Sequence, residues 1–154
     1  MHLNFKSVLP KVIDNNYQGS KLSLYLFYFL TIVTLWRSQH HLLAEDGGAQ
    51  SIATIPLDLF SSDAATTIVG IFSLWGLSQL LLAFVYLLVA IRYRSLIPLM
   101  YVIVIAEYMG RMAIGSWKPV VTLGDAPGAL VNLPLVIVCM VAFLGSIYRK
   151  DSKQ

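Results

Sequence analysis

Glu107 and Arg111 are one helical turn apart in a stretch, Leu96 to Gly115, that carries no other charge. At this i, i+4 spacing the two side chains share a helix face and can form an ion pair. In hydrocarbon either charge is costly unless it is paired or faces a cavity, so the pair admits two readings. In the first it only lowers the cost of burying two charges. In the second Glu107 lines a site open toward the outer face and handles a proton or orients a ligand. A second cluster precedes it in the chain: Thr31, Thr34, Ser38, His41 and Glu45 are spaced 3, 4, 3 and 4, which aligns them on one stripe of a helix. Arg37 lies one turn before His41 on nearly the same side. The predicted ligand site therefore gathers Arg37, His41, Glu45, Glu107 and Arg111. The competing reading ends the first span at Trp36, as an interfacial anchor, and leaves everything after it outside the bilayer.

Other chemistry finds less support. His41 and Glu45 are metal-ligand types at a converging spacing, with His40 and Asp46 adjacent, but no third ligand follows at fixed spacing, so no metal site is expected. No nucleophile motif, cofactor fingerprint or phosphate-binding loop is present, which favours a protein that is not an enzyme. No cofactor is predicted, although a quinone head group would suit the polar cluster. The single cysteine, Cys139, excludes an intrachain disulfide and reads as a small packing residue.

The elements that must position these residues follow from composition. With 57% hydrophobic and 12% charged residues, the chain belongs to the membrane class. The net charge of +3 rests on too few groups to indicate nucleic acid. Four apolar stretches predict an all-α fold, an integral membrane four-helix bundle in a single domain over 1–154, with spans near 21–44, 64–91, 96–115 and 128–148. Leu22 to Trp36 alone is short for a ~30 Å crossing, so the first helix is expected to continue to about Ala44. A cleaved signal peptide is disfavoured, because Trp36-Arg37-Ser38-Gln39-His40-His41 does not resemble a small-residue cleavage site. Ser62 or Asp63 is the expected N-cap of the second helix. Pro98 suits the first turn of the third.

Basic residues set the orientation. Lys6, Lys11, Lys21, Arg92, Arg94, Arg149, Lys150 and Lys153 fall on one side, against Arg37, Arg111 and Lys118 on the other. Glu45, Asp46, Asp58, Asp63 and Asp125 share that second side. Both termini are thus expected in the cytoplasm. The outward segment from Asp46 to Ser62 carries Ile52, Ile55, Leu57, Leu59 and Phe60, and is expected to dip into the membrane interface, with a short lid as the alternative. Gln79 and Asn132 are expected to donate hydrogen bonds between helices. Gly70, Ser73 and Gly76 on the second helix, and Ala106, Gly110 and Ala113 on the third, form small-residue stripes suited to close helix packing.

Gly70 and Gly76, the basic turn from Arg92 to Arg94, Gly110-Arg111-Met112 and Pro127-Gly128 before a last apolar helix carry a family resemblance. From Gly70 onward the chain resembles the DoxX-like group of small four-helix bacterial membrane proteins; the first third departs from it, most at His40-His41 and the acidic loop. The resemblance implies the bacterial inner membrane and, for some members, association with quinone-linked oxidoreductases, with Arg111 as the matched residue. Two functions stand as expectations: a noncatalytic accessory subunit of a larger membrane complex or homo-oligomer, in contact with lipids, and, as the alternative, a protein that binds a quinone or other small amphiphile. An oligomeric transporter ranks behind both.

Overall fold

A computed structural model of the chain describes residues 2–124 and 126–149. Asp125, Lys150 and Lys153, whose charges enter the predicted orientation, lie outside the described residues. Among the described residues four α-helices make up the fold: α1 Lys21–Leu43, α2 Ser62–Arg92, α3 Ile97–Trp117 and α4 Pro127–Ile147. The predicted spans fall within or close to these four. Three helical segments, Ser62–Arg92, Arg94–Trp117 and Leu130–Ile147, are long and apolar enough to cross a membrane. The 23-residue α1 is of similar length, but its last two turns carry Arg37, Ser38, Gln39, His40 and His41.

Local chemistry explains the helix ends. The hydroxyl of Ser20 accepts from the Ser23 N–H at 3.1 Å and caps α1. Ser61, rather than Ser62 or Asp63, caps α2 through the Ala64 N–H, because the helix starts one to two residues earlier than expected. Such caps satisfy donors that the helix itself leaves free, at about 1 kcal/mol each. Pro98 sits in the first turn of α3, where its missing N–H has no intrahelical role.

α1 packs chiefly along α2, and α3 along α4, with α1 meeting α4 at one end. Gly76 permits the first pairing: a Cβ at this position would stand 2.7 Å from the Leu42 nitrogen and 2.8 Å from the His41 carbonyl carbon. Phe27 meets both Tyr86 and Tyr101 edge to face, with ring centroids 5.9 Å apart in each pair. These rings join three helices. The Tyr101 hydroxyl donates to the Ser23 carbonyl at 2.6 Å, locking α3 to the first turn of α1. Cys139 is fully buried in the same core, as expected of a packing residue.

The connections sort to two ends. At one, β1 (His2–Leu3) pairs antiparallel with β2 (Tyr148–Arg149), the Ser20 N–H donates to the Gly145 carbonyl, and Asp14 and Ser95 exchange hydrogen bonds. The N-terminal segment, the α2–α3 connection and the end of α4 therefore lie together. At the other end the Leu123 N–H donates to the Thr54 carbonyl, and the Thr54 hydroxyl to the Gly124 carbonyl, joining the α1–α2 and α3–α4 connections.

Candidate functional site

The polar residues of α1 separate into two groups. Thr31, Thr34 and Ser38 turn their hydroxyls back to the carbonyls of Phe27, Leu30 and Thr34, so their polarity is satisfied within the helix. Arg37 and His41 instead reach across to the other helices. Glu45 does not join them. α1 ends at Leu43 with Ala44 as C-cap in an extended conformation, so the 3-4 spacing no longer applies one residue later and Glu45 is exposed, away from the predicted cluster.

Arg37 donates from Nη1 to the Tyr108 hydroxyl and from Nη2 to Gln79 Oε1, each at 2.9 Å. Arg111 donates to the same Gln79 oxygen, also at 2.9 Å, and pairs with Glu107 as the sequence predicts. Gln79 is thus an acceptor shared by two guanidinium groups, not the interhelical donor expected of it. The Arg111 guanidinium lies 4.8 Å from the Trp75 ring and 4.9 Å from the Tyr108 ring, held between two aromatic faces. Arg37 lies 6.0 Å and 5.8 Å from the same two rings. Among the described residues Arg37 has no carboxylate partner.

His41 is buried against Trp75, their rings 4.7 Å apart. Its Nδ1 lies 2.8 Å from the Gly47 carbonyl oxygen. A carbonyl can only accept, so Nδ1 carries the proton and Nε2 is the nitrogen free to accept one. Gly48 makes this approach feasible: its φ of +74° belongs to the left-handed region, and a Cβ there would stand 2.8 Å from His41 Nδ1. His40 instead stacks on Trp36. No three His, Cys, Asp or Glu side chains converge among the described residues, and His40, His41 and Glu45 are not gathered at one point.

Arg37, His41, Glu107 and Arg111 line one cavity of about 690 Å³. Its remaining walls are largely apolar: Phe29, Leu30 and Val33 from α1, Val104 from α3, and Val131 and Leu135 from α4. Ile52 and Ala53 of the α1–α2 connection complete it, so that segment folds over the cavity instead of only dipping into the interface. Asp46 fixes the fold of the connection by accepting from the N–H groups of Gly48, Gln50 and Ser51. Burial raises the Asp46 pKa, but these donors outweigh it and hold the carboxyl at about 2.

The structure brings Arg37, His41, Glu107 and Arg111 around one space and leaves Glu45 outside it; Trp75, Tyr86 and Tyr108, which also line it, and Gln79, expected only as an interhelical donor, were not read as part of the cluster. A signal was available for these. Trp75, Gln79 and Tyr86 are spaced 4 and 7, one face of α2, and Tyr108 shares the face of Arg111 at i+3. The arrangement defines a class: an all-helical protein, with three helices able to cross a membrane, around an apolar cavity whose polar end carries two arginines. No protein-family model, curated protein or solved structure matches the chain.

Proposed function

We propose that the chain is an integral membrane protein of four spans, α1 included, that binds one small amphiphile in this cavity without transforming it. The observation that carries the reading is the convergence of Arg37, Arg111 and His41 on a space whose other walls are largely apolar. An amphiphile matches that division, with its polar group at the arginines and its chain along Val33, Val131 and Leu135. The volume lies within the ~300–1,000 Å³ usual for a site that holds one drug-sized molecule. A quinone is one candidate, with its carbonyl oxygens accepting hydrogen bonds at the arginine end. Location in the bacterial inner membrane, with both termini cytoplasmic, is proposed from the basic residues and from the resemblance to the DoxX-like group.

A second reading, a noncatalytic subunit of a larger assembly, is supported by α3. Ala106 and Ala113 are exposed there, and nothing lies within 4 Å of the Cβ position of Gly110. Such a stripe lets another helix approach closely. Native mass spectrometry from mild detergent or membrane discs separates the two readings. The amphiphile reading expects an adduct of small-molecule mass that is lost in Val131→Trp, which fills the cavity from its α4 wall without altering any charge. A bare chain, or one found only in a stoichiometric protein assembly, would overturn it in favour of the second.

A further inference from the structure

We infer that the ligand of this cavity is an acidic amphiphile with a single hydrocarbon chain, its anionic head held by Arg37; this rests on the binding reading above. Charge is the first argument. Arg37 and Arg111 face one carboxylate, Glu107, which is already paired with Arg111. Among the described residues one positive charge therefore remains uncompensated in a space of low polarity, where a lone charge is costly and an incoming anion relieves the cost. A neutral head group would leave that charge as it stands.

Hydrogen bonding is the second argument. Arg37 Nε and the Tyr86 hydroxyl are buried and have no hydrogen-bond partner, and both residues line the cavity. Each is a donor, and Arg37 Nε can only donate. Both residues line the cavity that holds the unpaired cation, and an oxyanion, which accepts hydrogen bonds at its oxygens, carries the missing charge.

The walls argue that the anion carries a chain. α1 and α4 meet at the end where Gly145 faces Ser20 and Ser23: a Cβ on Gly145 would stand 2.5 Å from the Ser23 hydroxyl. Further along, Phe29, Val33 and Trp36 of α1 and Val131 of α4 line the cavity and are also exposed, by 61%, 39%, 65% and 53%. The cavity therefore has an apolar mouth between α1 and α4, on a surface that faces lipid. A soluble anion has no use for such a mouth. A space of this size suits one chain better than a two-chain lipid.

The test uses the full-length protein in phosphatidylcholine discs, with binding of palmitate, hexadecanol and a neutral short-chain quinone read by native mass spectrometry and by tryptophan fluorescence. Palmitate is expected to bind about tenfold or more tightly than hexadecanol or the quinone, and acetate and inorganic phosphate are expected not to compete. Arg37→Gln should remove that preference, so that palmitate and hexadecanol bind the variant equally; Arg37→Lys should keep most of it. Tyr86→Phe, which preserves shape and requires no refolding around a lost charge, should weaken palmitate severalfold. Equal affinity for palmitate and hexadecanol, or a palmitate preference that survives both Arg37→Gln and Tyr86→Phe, would overturn the anionic head group and leave amphiphile binding standing. Competition by acetate or phosphate would overturn the chain. Failure of all three amphiphiles to bind would overturn the binding reading itself.

Discussion

Gly76 sits where two helix backbones cross, and its missing side chain decides how near α1 comes to α2. A methyl group there meets backbone atoms of His41 and Leu42 rather than a side chain that could swing aside. Gly76→Ala is expected to force the helices apart, to cost about 1–3 kcal/mol, and to draw His41 away from Trp75. A lower thermal midpoint in detergent together with a changed Trp75 emission would bear this out; an unchanged midpoint would show that α1 and α2 do not approach as described. The site residues differ in how firmly they are held. Arg111 is fixed by Glu107, Gln79 and two aromatic rings, whereas Arg37 keeps a buried Nε with nothing to donate to. On the proposed reading, that difference gives Arg111 to the architecture and Arg37 to recognition.

At the scale of elements, the α1–α2 connection matters most, because it closes the cavity with Ile52 and Ala53 and holds His41 in one tautomer through the Gly47 carbonyl. Its fold depends on an ionised Asp46. The carboxyl pKa is depressed to about 2 from an ordinary value near 4, so its contribution is fully present above pH ~4 and is lost as pH falls through about 2. Amide protection at Gly48, Gln50 and Ser51 should therefore be constant from neutral pH down to about 4 and decline below it. Asp46→Asn, with one carbonyl oxygen in place of two charged ones, should show reduced protection at all three amides even at neutral pH. Protection equal to that of the unaltered chain would mean that the turn is held by Gly47 and Gly48 alone.

For the whole molecule, the grouping of both chain ends with the α2–α3 connection agrees with an even number of crossings. The proposed orientation makes a direct prediction. A cysteine replacing Ser51, which is exposed in the α1–α2 connection, should react with an impermeant thiol reagent in intact cells, and one replacing Lys11 only after permeabilisation. The reverse pattern would invert the orientation; native Cys139 is buried and gives little background. Helix number, approximate helix bounds and the Glu107–Arg111 pair were legible in the sequence, because hydropathy and i, i+4 spacing are local properties that every residue of a helix reports. The end of α1, expected near Ala44, falls at Leu43, but the place of Glu45 was less legible: the polar stripe runs on to it, yet the helix has closed before it and Gly47 and Gly48 fold back onto His41. Only the tertiary structure decided that Gln79 joins two arginines, that Tyr86 and Arg37 Nε are left without partners, and that a cavity lies between them. These facts depend on the distance and rotation between helices, which are set by the crossing at Gly76 and the contact at Gly145, and no periodicity within a single helix encodes them.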